Sequence, residues 1–207
     1  MNLINRISIT MMVVFFSFAA AYCQDTTKAT PPFLTMSAAQ QRQELLLKRL
    51  SDYSYIISRD FGKFSVTNKD GSIFLNNESL MGKVVFVNFW FDGCSPCHNL
   101  FQPLNRLAEH YKNNPGFKLV SFSFDDTAMI RKNVKKYQLM YPVFHLSETL
   151  CHSLMTDKGF PSNLLLDKTG KIVDGFGVTP LLGNAHFFEE NIIPKIDSLL
   201  NNKQIHH

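Results

Sequence analysis

The stretch Val84-Val85-Phe86-Val87-Asn88-Phe89-Trp90 is an almost unbroken apolar run, and Cys94-Ser95-Pro96-Cys97 follows it after three residues. A run with no polar face predicts a strand buried on both sides, in a sheet with helices above and below. The residues after it fit that picture. Helical character runs from Cys94 to Tyr111, a strand is expected at Lys118–Phe124, a helix at Thr127–Tyr137 with Asp125 and Asp126 as cap candidates, and a short strand at Pro142–His145. The style then changes: Asn163–Asp167 and Lys171–Phe176 read as a hairpin across Lys168-Thr169-Gly170, and Phe187–Leu200 as a closing helix. The order β-α-β-α-β followed by β-β-α predicts an α/β domain with a central sheet flanked by helices.

Ahead of this domain the sequence predicts an N-terminal helix and a β-hairpin extension. Ser37 with Gln40 forms a capping-box pattern, and Leu46, Leu50, Tyr53 and Ile57 recur at helical spacing on one face. Phe64–Val66 and Ile73–Leu75, joined at Asn68-Lys69-Asp70-Gly71, read as the hairpin by the Asp-Gly signal. With 45% hydrophobic and 18% charged residues over 207 positions, the chain can bury a real core in one or two domains. Its 21 basic residues against 17 acidic give a net charge of +4 with no Lys/Arg block, which argues against a nucleic-acid partner.

The first segment reads as a targeting signal. Arg6 precedes an apolar run from Ile7 to Phe18 and the small residues Ala19-Ala20-Ala21, the layout of a secretory leader. Extended to Tyr22 the run is 16 residues, short of the ~20 that a spanning helix needs. Residues 1–23 are therefore expected to be a signal peptide, 24–60 a tether and N-terminal helix, and 61–207 the main domain. The expected location is outside the cytosol, in the periplasm. A membrane anchor through an uncleaved signal or lipidation at Cys23 is the alternative, weakened by Tyr22 where a lipidation site wants a small residue.

The chemistry is expected where the buried strand meets its helix. Two thiols separated by two residues lie within reach of a disulfide, and at a helix start the first faces the unpaired N–H groups of the opening turn. Those dipoles favour thiolate over thiol, so Cys94 is the expected nucleophile and Cys97, one turn further in, the resolving thiol. Pro96, with Ser95, supports the geometry, because proline fits the first helical turn.

At these residues the chain resembles the thioredoxin-like proteins, and within them the exported group of the TlpA and ResA type. The likeness covers roughly residues 61–200. It rests on Gly82-Lys83 leading into the Val84–Trp90 strand, on Cys94-Ser95-Pro96-Cys97, and on Gly159-Phe160-Pro161-Ser162 followed by Leu164-Leu165-Leu166-Asp167 and Gly170. The resemblance implies a thioredoxin fold and thiol–disulfide oxidoreductase activity, with the Cys94–Cys97 disulfide as the redox centre and no other cofactor or metal. It further implies that Pro161 is cis and faces Cys94, and that Trp90, Phe160 and Pro161 bind substrate, Phe160 by pairing its backbone with an extended segment. Partners implied are exported proteins with thiols or disulfides and an upstream membrane electron donor or acceptor. Pro96 and the likeness lean toward a reductant.

The chain also departs from the pattern. Gly93 stands where many relatives carry an aromatic, which predicts a more open rim. Leu100 stands where the ResA-type relatives carry a Glu, and Asn88 where cytosolic thioredoxins carry a buried acid, so neither proton acceptor is present. Rival readings are a redox-inactive thioredoxin-like binding module, covalent haem on the string Cys94-Ser95-Pro96-Cys97-His98, and a zinc site joining Cys94 and Cys97 to Cys151-His152. Against these, His98 reads as an exposed helix residue and Cys151 as a small buried hydrophobe on a short helix.

Overall fold

A computed structural model describes residue 37 and residues 40–41, 52–67, 73–155, 158–177 and 186–201. The strands in chain order are β1 (Ser65–Thr67), β2 (Ile73–Asn76), β3 (Val84–Trp90), β4 (Phe117–Ser123), β5 (Val143–His145), β6 (Ser162–Leu166) and β7 (Ile172–Phe176). The α-helices are α1 (Ser95–His98), α2 (Phe101–His110), α3 (Thr127–Tyr137), α4 (Glu148–Leu154) and α5 (Ile193–Asn201). Strands β1 and β2 form a separate antiparallel pair, and the other five make a mixed sheet in the order β5-β4-β3-β6-β7. Strand β4 lies parallel to both β3 and β5, whereas β6 is antiparallel to both β3 and β7.

The apolar run falls at the sheet's centre because neither of its faces is polar: every side chain of β3 is at most 1% exposed. Side chains alternate across a strand. Val85, Val87 and Phe89 enter one core with Ile56, Phe64, Phe122 and Leu164. Val84, Phe86 and Trp90 enter the other with Leu104, Leu107, Phe188 and Ile196. Burying each such apolar side chain stabilises by about 1.5–3 kcal/mol, so the central place of β3 is strongly set.

One polar residue in β3 does not break this burial. The Asn88 amide donates to Asn163 Oδ1 on β6 at 3.0 Å, and its Oδ1 accepts from Ser121 Oγ on β4 at 2.9 Å. The Asn163 amide in turn donates to the Phe176 carbonyl on β7 at 3.1 Å. Each member sits opposite the next in the strand register, so a hydrogen-bonded row crosses four strands inside the core. Satisfied in this way, buried amides avoid the cost of unpaired polar groups.

Several local expectations are corrected. The helix expected from Cys94 to Tyr111 is two pieces, α1 and α2, because Pro103 has no N–H for the Asn99 carbonyl and its ring crowds that carbonyl. The closing helix begins as a π-helical segment, Phe188–Ile192, and becomes α-helical at Ile193. Pro194 lies one residue past the change, and the wider turn ahead of it suits a residue that cannot donate to an α-helical partner. Before the domain, Ser37 N–H donates to Gln40 Oε1 (2.8 Å) and Gln40 N–H to Ser37 Oγ (3.2 Å), the expected reciprocal capping box. Leu46, Leu50, the hairpin turn 68–71 and residues 1–23 lie outside the described residues.

The proposed face of the N-terminal helix is not continued by Tyr53 and Ile57. Tyr53 precedes a short 3-10 turn, Ser54–Ile56, which buries Ile56 completely and leaves Ile57 38% exposed. The chain is then turned by Ser58 at φ 71°, and Asp60 bridges to Lys171 at the edge of β7.

Candidate active site

Strand β3 ends at Trp90, and the turn Phe91-Asp92-Gly93 leads to Cys94. Three contacts shape this turn. The Cys94 N–H donates to the Phe91 carbonyl (3.0 Å), the Asp92 N–H to Asp125 Oδ2 (2.7 Å), and the Asn133 amide to Asp92 Oδ1 (2.9 Å). Asp125 is itself held by Ser123 Oγ on its Oδ2 (2.9 Å) and by His145 Nδ1 on its carbonyl (2.9 Å). Thus the end of β4 and the face of α3 clamp the loop that presents the cysteines. Of the two expected cap residues only Asp126 caps α3, accepting from the Met129 N–H at 2.7 Å. Asp125 belongs to the site, a role that its neighbour's cap pattern concealed.

Cys94 caps α1, with Cys97 one turn inside. The Cys97 N–H donates both to the Cys94 carbonyl (3.0 Å) and to Cys94 Sγ (3.3 Å), so a backbone donor stabilises charge on the first sulfur. The two sulfurs are joined in a disulfide, with Cys94 5% and Cys97 1% exposed. Ser95 and Pro96 occupy the first two helical positions, where the N–H that proline lacks has no intrahelical partner.

The Phe160–Pro161 bond is cis. It lies in the loop that enters β6, the strand antiparallel to β3, and the Phe160 ring meets Phe91 edge-on at 5.1 Å. Phe91 stacks on Phe124 at 5.1 Å, and Phe124 meets Phe160 at 5.4 Å, so three half-buried rings close one side of the site. Gly93, where a more open rim was expected, is itself exposed and lies beside the Phe91 ring. A Cβ on Gly93 would fall 2.9 Å from the Phe91 ring. Trp90 is corrected: it is fully buried, edge-on to Phe101 at 5.1 Å, and has no surface to offer a substrate. Phe91, one residue on and on the other side of the strand's alternation, stands at the rim instead.

The neighbouring histidine is not the exposed residue expected. His98 is half-buried between Phe101 (5.3 Å) and Tyr137 (5.0 Å), with Nδ1 3.3 Å from the Tyr137 hydroxyl. Cys151 is fully buried in α4 and belongs to the core on the sheet face opposite Cys94 and Cys97, which removes the proposed shared zinc site. Burial, with Glu148 adding, pushes its thiol up to about 12, so it stays protonated at neutral pH. Leu100 is fully buried among apolar residues, and the Asn88 amide is committed to Asn163 and Ser121.

A family model described as the AhpC/TSA family matches residues 57–190. The chain belongs to the AhpC/TSA family. Among curated proteins it is similar to a thiol-disulfide oxidoreductase ResA of Bacillus cereus, 33% identical over 119 residues, covering 57% of this chain and 68% of the relative. The ResA of Bacillus anthracis is 31% identical over 130 residues, with the same coverage. Among solved structures, a thiol-disulfide oxidoreductase from Bacteroides fragilis NCTC 9343 superposes with a TM-score of 0.55 at 24% identity, covering 68% of this chain and 99% of that one. A thiol:disulfide interchange protein of the thioredoxin family from Chlorobium tepidum TLS gives 0.53 at 19% identity, with 68% and 95% covered. These likenesses show the thioredoxin fold. With its joined cysteine pair, this AhpC/TSA family member is a thiol–disulfide oxidoreductase.

Proposed function

We propose that the chain is an exported oxidoreductase that reduces disulfides in protein substrates through Cys94 and Cys97. The observation that carries the thiol–disulfide exchange is the disulfide at the junction of the most buried strand and its helix, with Cys94 receiving the Cys97 N–H. In the reduced enzyme the Cys94 thiolate attacks one sulfur of a substrate disulfide. The substrate S–S bond breaks, its other sulfur leaves with the electron pair and takes a proton, and a mixed disulfide remains on Cys94. Cys97, deprotonated by solvent or by the departing thiolate, then attacks the Cys94 sulfur. The second substrate sulfur leaves as a thiolate, and the pair ends as the Cys94–Cys97 disulfide, two electrons having passed to the substrate.

The Phe160–Pro161 loop and the cysteine pair lie at the same end of β3 and β6. Phe160 and Pro161 are assigned to hold an extended substrate segment beside Cys94, with Phe91 and Phe124 as further apolar contacts. Renewal of the dithiol needs two electrons from a donor thiol pair, assigned to a membrane electron carrier. Export is supported by the leader-like layout of residues 1–23. Among the described residues no helix is long and apolar enough to cross a membrane. The direction is supported by Pro96 between the two cysteines.

Two measurements test the reading. Equilibration against a series of glutathione buffers, read by mass after alkylation, should place the pair on the reducing side of the glutathione couple; a more oxidising value overturns the reductant assignment. Cys97→Ser should trap a mixed disulfide through Cys94 with a disulfide-bonded protein. No trapped species would make the module a binding protein.

A further inference from the structure

The loop that carries Pro161 is braced by a residue ahead of the family match, which starts at residue 57. Tyr53 is 4% exposed, and its hydroxyl lies 3.0 Å from the hydroxyl of Ser162, the residue directly after Pro161 and itself fully buried. The Tyr53 ring packs on the backbone of β7 at Gly175, where a Cβ would come within 2.4 Å of its Cδ1. At the other end of the loop, the Lys158 ammonium lies over the rings of Tyr53 (5.6 Å) and Tyr55 (4.6 Å), within cation–π range. Entry and exit of the stretch Lys158-Gly159-Phe160-Pro161-Ser162 are therefore tied to one aromatic segment, while β6 alone fixes only the exit.

We propose that Tyr53 is a positioning residue for protein substrates: it braces the cis-proline loop so that the Phe160 backbone is pre-arranged to receive an extended chain. The inference rests on the reading of that loop as the substrate-holding element. Its physical basis is preorganisation, because a loop already ordered loses less freedom when a peptide pairs with it. A small disulfide needs no added strand and reaches Cys94 without the loop. Burial pushes the Tyr53 phenol up to about 12, so the hydroxyl keeps its proton at any working pH.

The test compares two substrates on the full chain: insulin as a protein disulfide, with dithiothreitol renewing the enzyme, and the small disulfide DTNB in a single turnover by pre-reduced enzyme freed of dithiothreitol, which would otherwise reduce DTNB itself. Tyr53→Phe keeps the ring and removes the hydroxyl, so KM for insulin should rise about fivefold, the scale of one hydrogen bond, with kcat nearly unchanged. The DTNB rate should stay within about twofold, since that substrate does not use the loop. Ser162→Ala should reproduce the KM change, and the double variant should be no worse than either single one, since both remove the same contact. Equal losses on insulin and DTNB, an unchanged insulin KM, or additive single effects would each overturn the proposal. A wild-type protein inactive on both substrates would instead overturn the redox reading beneath it.

Discussion

Removing the Asp125 carboxylate should loosen the active-site turn and lower stability by about 3 kcal/mol. The figure follows from the contacts. Asp125 Oδ2 accepts from the Asp92 N–H at 2.7 Å and from Ser123 Oγ at 2.9 Å. Hydrogen bonds to a charged group contribute about 1.5–3 kcal/mol each, and a buried donor left without a partner costs about 1–3 kcal/mol. Asp125 is partly exposed, so water reaches the donors in the vacated space, and the bottom of the range of about 3–6 kcal/mol for two such bonds applies. Asp125→Ala is the main variant, and Asp125→Asn, which keeps the shape and one acceptor, should lose about half as much. The assay is urea unfolding of the oxidised protein: the midpoint should fall with the slope unchanged, because the surface exposed on unfolding is the same. In a chain of this size a loss of about 3 kcal/mol corresponds to about 6–12 °C in Tm. The same variant should also alkylate more evenly at Cys94 and Cys97 once reduced, as the turn no longer fixes the first sulfur at the helix start. Asp125→Ala within about 0.5 kcal/mol of wild type, a margin typical of surface substitutions, would refute the clamp.

Three further outcomes are expected. In the reduced native protein, iodoacetamide at about pH 7 should modify Cys94 first, Cys97 more slowly and Cys151 only after denaturation; equal rates for Cys94 and Cys97 would remove their role assignment. Cys151 and Tyr53 titrate near 12 when folded, above their ordinary values of 9 and 10, so the folded state holds protons that the unfolded state releases. Their contribution is complete below about pH 9 and declines as pH rises toward about 12; thermal melts across that window should fall, and Cys151→Ala should remove the part that begins at about pH 9. Gly175→Ala should cost about 1–3 kcal/mol by urea unfolding, because its methyl group would meet the Tyr53 ring at 2.4 Å; an unaffected midpoint would mean the ring moves freely.

The sheet was legible because its determinants are local in the chain. Seven residues without a polar face announced β3, and the Thr169-Gly170 turn announced the β6–β7 hairpin, with Gly170 at φ 82°. The cysteine pair was legible for the same reason: four consecutive residues carry the motif, its cap and its proline. The cis bond at Pro161 came through the family resemblance, not through any property of four residues read alone. What the sequence hid depends on contacts between distant residues. Asp125 looked like a helix cap because Asp126 beside it is one, and only the fold brings it to the Asp92 N–H. Phe91 lies just past β3 and Phe124 just past β4, and only the pairing of two parallel strands that end together places both at the rim. Trp90 was misplaced by a single step of strand alternation. Tyr53 and Ser162 are 109 positions apart, and no periodicity connects them.

The row of side chains from Ser121 through Asn88 to Asn163 sets a scale along the strands that apolar residues cannot. A greasy side chain records which face of a sheet it occupies but not how far along the strand it sits, and a shift of two residues would leave every face correct. Asn88 accepts no such shift, since its partner on β6 would become Leu165 or Pro161, neither with a side-chain acceptor for its amide. Cys94 stands six residues beyond Asn88, and Pro161 two before Asn163, so this pairing is the common origin from which both are measured. A slip of one such notch would move them about 6–7 Å relative to each other, enough to part a substrate's backbone from the sulfur meant for it. The alignment of the two halves of the site is thus gauged deep inside the protein, by residues that never touch the chemistry.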